Sequence, residues 1–284
     1  MTLRERIAQQ FEGRIFYPSR VRRDRHAPDL AARTYRLADR LAYAPFAEER
    51  HALPAAREVG GVSLDVVGDL VAVTGLDQAQ VEGILQQRRH LSFRAEWYAT
   101  PEFLRDDHWF YLSSKTYLFG NAIHVLDDAW VERFVTRHSA GGAVWEFGGG
   151  TGNLSMHLAA LGHEVAMTEL NVLQREFVRF RAARHLPEGR LTTWAPWDAL
   201  PHEGYKAIVA LDVFEHVPEL RRTLDEQVLP ALAPDGVLVE NSPFAINVSN
   251  PMHHEDFGFD AHLTAAGLHV VDEGDDKTRV WARA

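Results

Sequence analysis

Four glycines at positions 148, 149, 150 and 152 follow the run Val144-Trp145-Glu146-Phe147 and precede a helical pattern from Leu154 to Leu161. That order constrains the chain to a strand, a tight turn and a helix N-terminus. Glycine admits positive φ and close backbone approach. The first turn of the new helix presents unpaired N–H groups. A turn of this kind grips its ligand through the backbone, which predicts a nucleotide-like ligand.

The spacing narrows the ligand. A dinucleotide fingerprint requires Gly-x-Gly-x-x-Gly, and counting from Gly148 the last slot is Asn153. A phosphate loop requires Gly-Lys-Ser/Thr, and this turn has no Lys.

From residue 143 onward strands and helices alternate, the pattern of a parallel α/β sheet. Strands are expected at 143–147, 163–168, 191–193, 205–211, 237–240, 268–271 and 278–282, with helices at 153–161, 171–185, 219–232 and 261–266. Pro234-Asp235-Gly236 reads as a turn. Earlier in the chain, prolines at 18, 28, 45 and 54 punctuate residues 1–60, and residues 30–43 have amphipathic helical spacing. Residues 64–73 and 77–87 read as two helices around Thr74-Gly75-Leu76, with Asp77 and Gln80 spaced as a capping box. Such a helix-turn-helix also occurs in DNA-binding proteins. That gives an alternative reading, a cofactor-sensing regulator that presents residues 62–90 to DNA. The second helix holds two acids and no Lys or Arg before Arg88, so a hairpin packed on a larger domain is the expected use.

Three acids fall where sheet ligands bind. Glu169 follows the second strand, 17 residues after Gly152. Ligands of open α/β sheets lie beyond strand carboxyl ends, and a carboxylate has two oxygens for a ribose diol. This position also suits NAD, so a nicotinamide oxidoreductase stays open on Glu169 and is opposed by Asn153. Asp198, beside the π-face of Trp197, follows the third strand, and Asp212 follows the fourth.

Glu146-x-Gly148-x-Gly150-x-Gly152 resembles motif I of the class I, Rossmann-like S-adenosylmethionine-dependent methyltransferases. Asp212-Val213-Phe214-Glu215-His216-Val217-Pro218 resembles motif IV of their small-molecule members. The resemblance covers residues 143–284. It implies a seven-stranded, mostly parallel, doubly wound sheet with an antiparallel last strand, preceded by a mainly helical region. Residues 1–125 would form the lid or dimerisation region and 126–284 the catalytic domain. It further implies that S-adenosylmethionine is held by Glu146, Gly148, Gly150, Gly152, Asn153, Glu169, Leu170, Trp197, Asp198, Asp212, Val213 and Phe214. The aromatic segment 93–124 would fold over the cleft, bringing Tyr111, Lys115 and Tyr117 to the cofactor or substrate. His216 is the catalytic base candidate, with His253 and His254 as alternatives in the loop 241–256. Phe244, Asn247 and Asn250 are pocket candidates in the same loop.

The implied reaction is methyl transfer by in-line displacement to an oxygen or nitrogen (less readily carbon) of a small, aromatic or natural-product-like acceptor. A different S-adenosylmethionine-dependent step stays open. No bound metal is expected, although Asp212 with Glu240-Asn241, or His253-His254, could offer ligands. A net charge of −10 argues against nucleic acid as partner. The basic cluster Arg20, Arg22, Arg23 and Arg25 is the local exception. No cysteine is present, which removes disulfides and thiolate metal sites. With no apolar run of membrane-spanning length and no apolar leader core, a cytoplasmic homodimer is expected.

Overall fold

A computed structural model describes residues 56–86, 117–122, 135–138, 142–201, 204–244, 252–274 and 278–284, with Leu53, Tyr111 and Ile246. Five strands run parallel: β3 (Val144–Phe147), β4 (Val165–Thr168), β5 (Leu191–Trp194), β6 (Tyr205–Ala210) and β7 (Leu232–Glu240). β8 (Leu268–Glu273) closes the edge, and β9 (Arg279–Arg283) lies between β7 and β8, antiparallel to both. The sheet order is β5-β4-β3-β6-β7-β9-β8. This is the expected seven-stranded sheet.

The order reverses at β3, which pairs with β4 on one side and β6 on the other. Connections therefore leave toward opposite faces and open a crevice at the strand carboxyl ends. The glycine turn sits at that crevice. β3 and β4 are buried along their whole length, as strands covered on both faces must be. The interior forms two apolar clusters, one centred on Leu154, Met156 and Val178 and one on Trp145, Tyr205, Phe214 and Trp281.

Ahead of the sheet, β1 (Arg57–Val59) and β2 (Val62–Leu64) form a hairpin turned at Gly60-Gly61, with φ of 56° and 79°. The hairpin was not expected from sequence, and Leu64, read as the start of a helix, ends a strand instead. Asp65 then caps α1 (Val66–Thr74), accepting the Gly68 amide at 2.9 Å, and Gly75 closes the helix in the left-handed region. Asp77 and Gln80 exchange bonds of 2.8 and 2.9 Å at the start of α2 (Gln78–Gln86), a reciprocal capping box. Val66, Leu70, Val73, Val81 and Leu85 pack with Leu118 and Phe119 of α3 (Tyr117–Ala122) and with Phe177 of the sheet domain. The helical pair thus spends its apolar face on the sheet domain, as expected of a packed hairpin. Residues 30–43, most of 93–116 and most of 127–138 lie outside the described residues.

The helices flanking the sheet are α4 (Asn153–Ala160), α5 (Val172–His185), α6 and α7 (Phe259–Ala265). Asn171 caps α5, its side chain accepting the amides of Leu173 and Gln174. α6 runs through Leu220–Thr223 and Leu229–Ala231 with a π turn, Leu224–Val228, between them. Pro234-Asp235-Gly236, expected as a turn, is a bulge inside β7, where the register against β6 shifts between Tyr205 and Ala207. No helix among the described residues is long and apolar enough to cross a membrane.

Candidate active site

The crevice at the switch point is a cavity of about 580 Å³. One wall is the glycine turn with Glu146, Asn153 and Leu154. Glu169 and Leu170 follow from β4, and Leu211 to Val213 from β6. The far wall is His216 to Glu219, with Thr223 and Gln227, and Tyr111 and Asn121 come from the preceding region.

Positive φ is required at Gly148 (74°), Gly150 (56°) and Gly152 (71°). A Cβ at Gly148 would come within 2.3 Å of Val213 Cγ2, so the turn and the segment after β6 meet only because this residue has no side chain. Gly152 is the N-cap of α4 and faces Val178 rather than the cavity. Glu169 ties the turn to the next loop. Its Oε2 accepts the Gly150 amide at 2.9 Å, and its Oε1 accepts the Asn171 amide at 2.7 Å. Each oxygen keeps a second acceptor site. Burial pushes the Glu169 carboxyl above the ordinary range, against the lowering effect of those two amides and Arg175.

Asn153 explains why a dinucleotide glycine is absent. Its Nδ2 donates to Ala122 O at 2.9 Å, and its Oδ1 accepts from Arg181 at 2.8 Å. Arg181 also donates to Thr151 O at 2.7 Å and pairs with Asp69 at 3.0 Å, both side chains almost fully buried. The sequence reading missed this brace. Its signal was a charged residue on the apolar stripe of a helix, with Asp69 inside Val66–Thr74 as its counterpart.

Glu146 is buried and accepts the Ser155 hydroxyl. Burial pushes its carboxyl up to about 7. A buried acid with a raised native pKa binds a proton that the unfolded chain releases. Stability is therefore unaffected below about pH 4.5, falls between about 4.5 and 7, and loses no more above that. Glu146→Gln should remove this loss, on the order of 3 kcal/mol. Urea unfolding should show the variant gaining on the wild type as pH rises from 5 to 8. A difference that does not vary with pH would reject the assignment.

Asp212 stands at φ 50°, the one positive φ outside glycine among the described residues, and its amide donates to Asn241 Oδ1 at 2.6 Å. Asp tolerates this region better than most residues, and strained backbone clusters at functional sites. The next residues form a 3₁₀ turn, Phe214–His216. Phe214 is buried in the core beside Phe147 and Phe259 and is not in the cavity lining. His216 lines the cavity, with its Nδ1 2.7 Å from Tyr111 Oη and 3.2 Å from Met252 O. Burial, then His253, pulls the His216 imidazole down to about 3, so it is neutral. Glu215 beside it is 1% exposed and is pushed up to about 8 by burial and the charges of Asp212 and Glu240.

Other expected site residues are placed elsewhere. The cavity lining reaches Pro196 but not Trp197, which is 61% exposed beneath the Arg175 guanidinium at 5.9 Å. Asp198 folds back to accept the Ala195 amide at 2.8 Å, closing its own loop. His253 packs edge-on against His216, and the His254 amide donates to Glu215 O. Neither lines the cavity. Tyr117 opens α3, and Lys115, Asn247 and Asn250 lie outside the described residues. Thr223 and Gln227 were not anticipated. Thr223 stands at the entry to the π turn and Gln227 within it, which brings Gln227 to the far wall; such turns recur at functional sites.

The donor set distinguishes the cofactors. Glu146, Glu169, Asp212 and Glu219 line the cavity, and no Lys or Arg does so among the described residues. A pyrophosphate would meet four carboxyl groups there. A sulfonium cofactor with a ribose diol fits the same lining.

Residues 120–262, half of the chain, match the family described as Methyltransferase domain. Among solved structures, the CcbJ methyltransferase of Streptomyces caelestis is similar at 17% identity, over 54% of this chain and 88% of that one, with a TM-score of 0.44. A TehB-like SAM-dependent methyltransferase of Corynebacterium glutamicum is similar at 17% identity, over 54% and 86%, with a TM-score of 0.43. The glycopeptide N-methyltransferase MtfA, solved with S-adenosyl-L-methionine, is similar at 17% identity, over 54% and 84%, with a TM-score of 0.42. No curated protein matches the sequence. The family match contains the glycine turn, Glu169 and the segment Asp212–Pro218, and on it the chain belongs to the methyltransferase domain family, as an S-adenosylmethionine-dependent enzyme of the Rossmann-like class.

Proposed function

We propose that the chain methylates an oxygen or nitrogen of a small acceptor that binds in the cavity beside Tyr111 and His216. The observation that carries this is the placement of His216 on the same cavity wall system as the glycine turn and Glu169, with its ring held by Met252 O. The cofactor, when bound, supplies a methyl group on a sulfonium, already a strong electrophile.

The chain's own work is alignment and exclusion of water. Glu169 and the amides of the glycine turn would hold the nucleoside end. Val213 and Leu211 would wall the reacting end. His216, being neutral and held by Met252 O, lies against the acceptor end of the cavity and so positions the acceptor's nucleophilic atom. A cavity of about 580 Å³ lies in the range of small-molecule sites. The apolar side chains Leu170, Val217 and Pro218 favour an acceptor with an apolar or ring-containing body. Residues 1–125 would complete the lid, with α3 already touching the turn through Asn121 and Ala122.

The test is calorimetry with S-adenosylhomocysteine, followed by a panel of phenols and amines assayed for release of that product. No binding of S-adenosylhomocysteine would reject the reading, and so would turnover confined to protein or nucleic-acid acceptors. His216→Asn should lower turnover about 10²-fold through lost positioning of the acceptor, with S-adenosylhomocysteine affinity unchanged.

A further inference from the structure

Glu215 is a buried acid that the cofactor site does not use. Its Oε2 has no hydrogen-bond partner. Its one ion-pair contact among the described residues is His216 Nε2, at 3.8 Å. Buried polar groups left unmatched in this way call for an unseen partner, such as an ion.

The surroundings supply the rest of a ligand set. A Glu215 oxygen and one ring nitrogen each of His216 and His253 lie within 4.8 Å of one another. Adjacent residues seldom chelate together, but the 3₁₀ turn Phe214–His216 brings Glu215 and His216 to one side. The two imidazoles meet edge to face, with centroids 4.6 Å apart and planes at 84°. Two imidazoles sharing one ion at about 2.0–2.1 Å from each nitrogen have centroids from about 4.5 Å apart at a right angle to about 5.2 Å at the tetrahedral angle, a range that contains the observed spacing.

Backbone carbonyls set both tautomers. We assign the proton of His216 to Nδ1, where it serves Met252 O at 3.2 Å, an acceptor only, and Tyr111 Oη at 2.7 Å, whose own hydroxyl proton then turns to Met252 Sδ. His253 Nδ1 likewise donates to Pro243 O at 2.9 Å. Each ring then carries its lone pair on Nε2. Histidine ligands are ordinarily held in this way, with the second nitrogen donating to a carbonyl.

We infer that Glu215, His216 and His253 hold a divalent cation of the zinc type beside the acceptor end of the cavity. Two imidazoles and a carboxylate suit such an ion and leave a coordination position open. The inference deepens the proposed function and rests on it. An acceptor hydroxyl at the open position would release its proton to solvent and use the electron pair left on its oxygen to form a bond to the methyl carbon, as the carbon–sulfur bond breaks with its pair going to sulfur and S-adenosylhomocysteine leaves.

The test uses the full chain stripped with a chelator. Co²⁺ is titrated by visible absorption, and Zn²⁺ by competition with a chromophoric chelator. One equivalent of each should bind, with ligand-field bands from Co²⁺. Glu215→Gln, which is isosteric, and His253→Ala, which lies on a loop, should each weaken binding by at least the ~10–100-fold seen for outer-shell losses. S-adenosylhomocysteine affinity should stay near wild type in both variants; the His253→Ala chain should melt near wild type, and Glu215→Gln, which replaces a buried acid held above the ordinary range, should melt no lower than wild type. Absence of stoichiometric binding would overturn the cation, and so would binding that both variants retain. A chain that binds S-adenosylhomocysteine but neither ion loses only this inference. A chain that binds the ions but not S-adenosylhomocysteine loses the reading of the cavity and the acceptor role built on it.

Discussion

Asp69→Ala should lower the unfolding free energy by about 3–5 kcal/mol, the usual result of stranding one member of a buried ion pair. Asp69 is 1% exposed and Arg181 2%. Asp69 Oδ2 takes Arg181 Nε at 3.0 Å, and Oδ1 takes His185 Nε2 at 2.7 Å. Without Asp69 the guanidinium keeps its burial and loses its counter-charge. A shift of that size lowers the melting temperature by roughly 10 °C in a domain of this size. The pair joins α1 to α5, residues 112 apart in sequence, so its loss loosens the N-terminal unit from the sheet domain. Arg181→Met alone should behave differently from Asp69→Ala/Arg181→Met. The double replacement removes both charges and should recover most of the stability. Both Met variants leave Thr151 O and Asn153 Oδ1 without their donor, so both should bind S-adenosylhomocysteine more weakly whatever their stability. A melting temperature within 2 °C of wild type for Asp69→Ala would remove the brace from this account.

The brace also marks where sequence reasoning stopped. The glycine turn, Glu169 and Asp212–Pro218 were legible because each is a local signal: a φ demand, an acid at a strand end, a contiguous motif. The alternation of strand and helix gave the sheet for the same reason, since strands buried on both faces must be continuously apolar. Arg181 and Asp69 carry no local signal of partnership. Each is a charge out of place on an apolar face, and only the fold joins them. Val59-Gly60-Gly61-Val62 is a hairpin signal of the ordinary kind, a Gly-Gly pair flanked by two β-branched residues. Pro234-Asp235-Gly236 reads as a turn because its residues are turn formers. The strand resumes its pairing on either side, which no local pattern states. Trp197-Asp198 was placed at the right strand end, but sequence does not say which side of a short loop faces the crevice. Here the carboxylate turns inward to its own Ala195 amide.

Glu169→Ala should weaken S-adenosylhomocysteine binding about 100-fold or more, close to 3 kcal/mol. The carboxylate accepts the Gly150 and Asn171 amides at 2.9 and 2.7 Å in a buried setting. Its removal leaves two buried N–H groups unmatched, each costing about 1–3 kcal/mol. One of them belongs to the glycine turn, so the turn loses its tie to the end of β4 together with the acceptor for a ribose diol. Glu169→Gln separates the two effects. The amide keeps one acceptor oxygen but sets an NH₂ against one of the two backbone donors, and it offers the diol half of its acceptors. An intermediate loss, about tenfold, is therefore expected from Gln, with a smaller drop in melting temperature than from Ala. The ligand dependence is the sharper readout. If Glu169 holds the nucleoside, adenosine should lose as much affinity in Glu169→Ala as S-adenosylhomocysteine does. Equal binding of adenosine by variant and wild type, or an affinity for S-adenosylhomocysteine within threefold of wild type, would reduce Glu169 to a strut for the turn. The nucleoside would then have to be held by the turn's own amides, and the three glycines that line the cavity, Gly148, Gly149 and Gly150, rather than the acid would carry recognition.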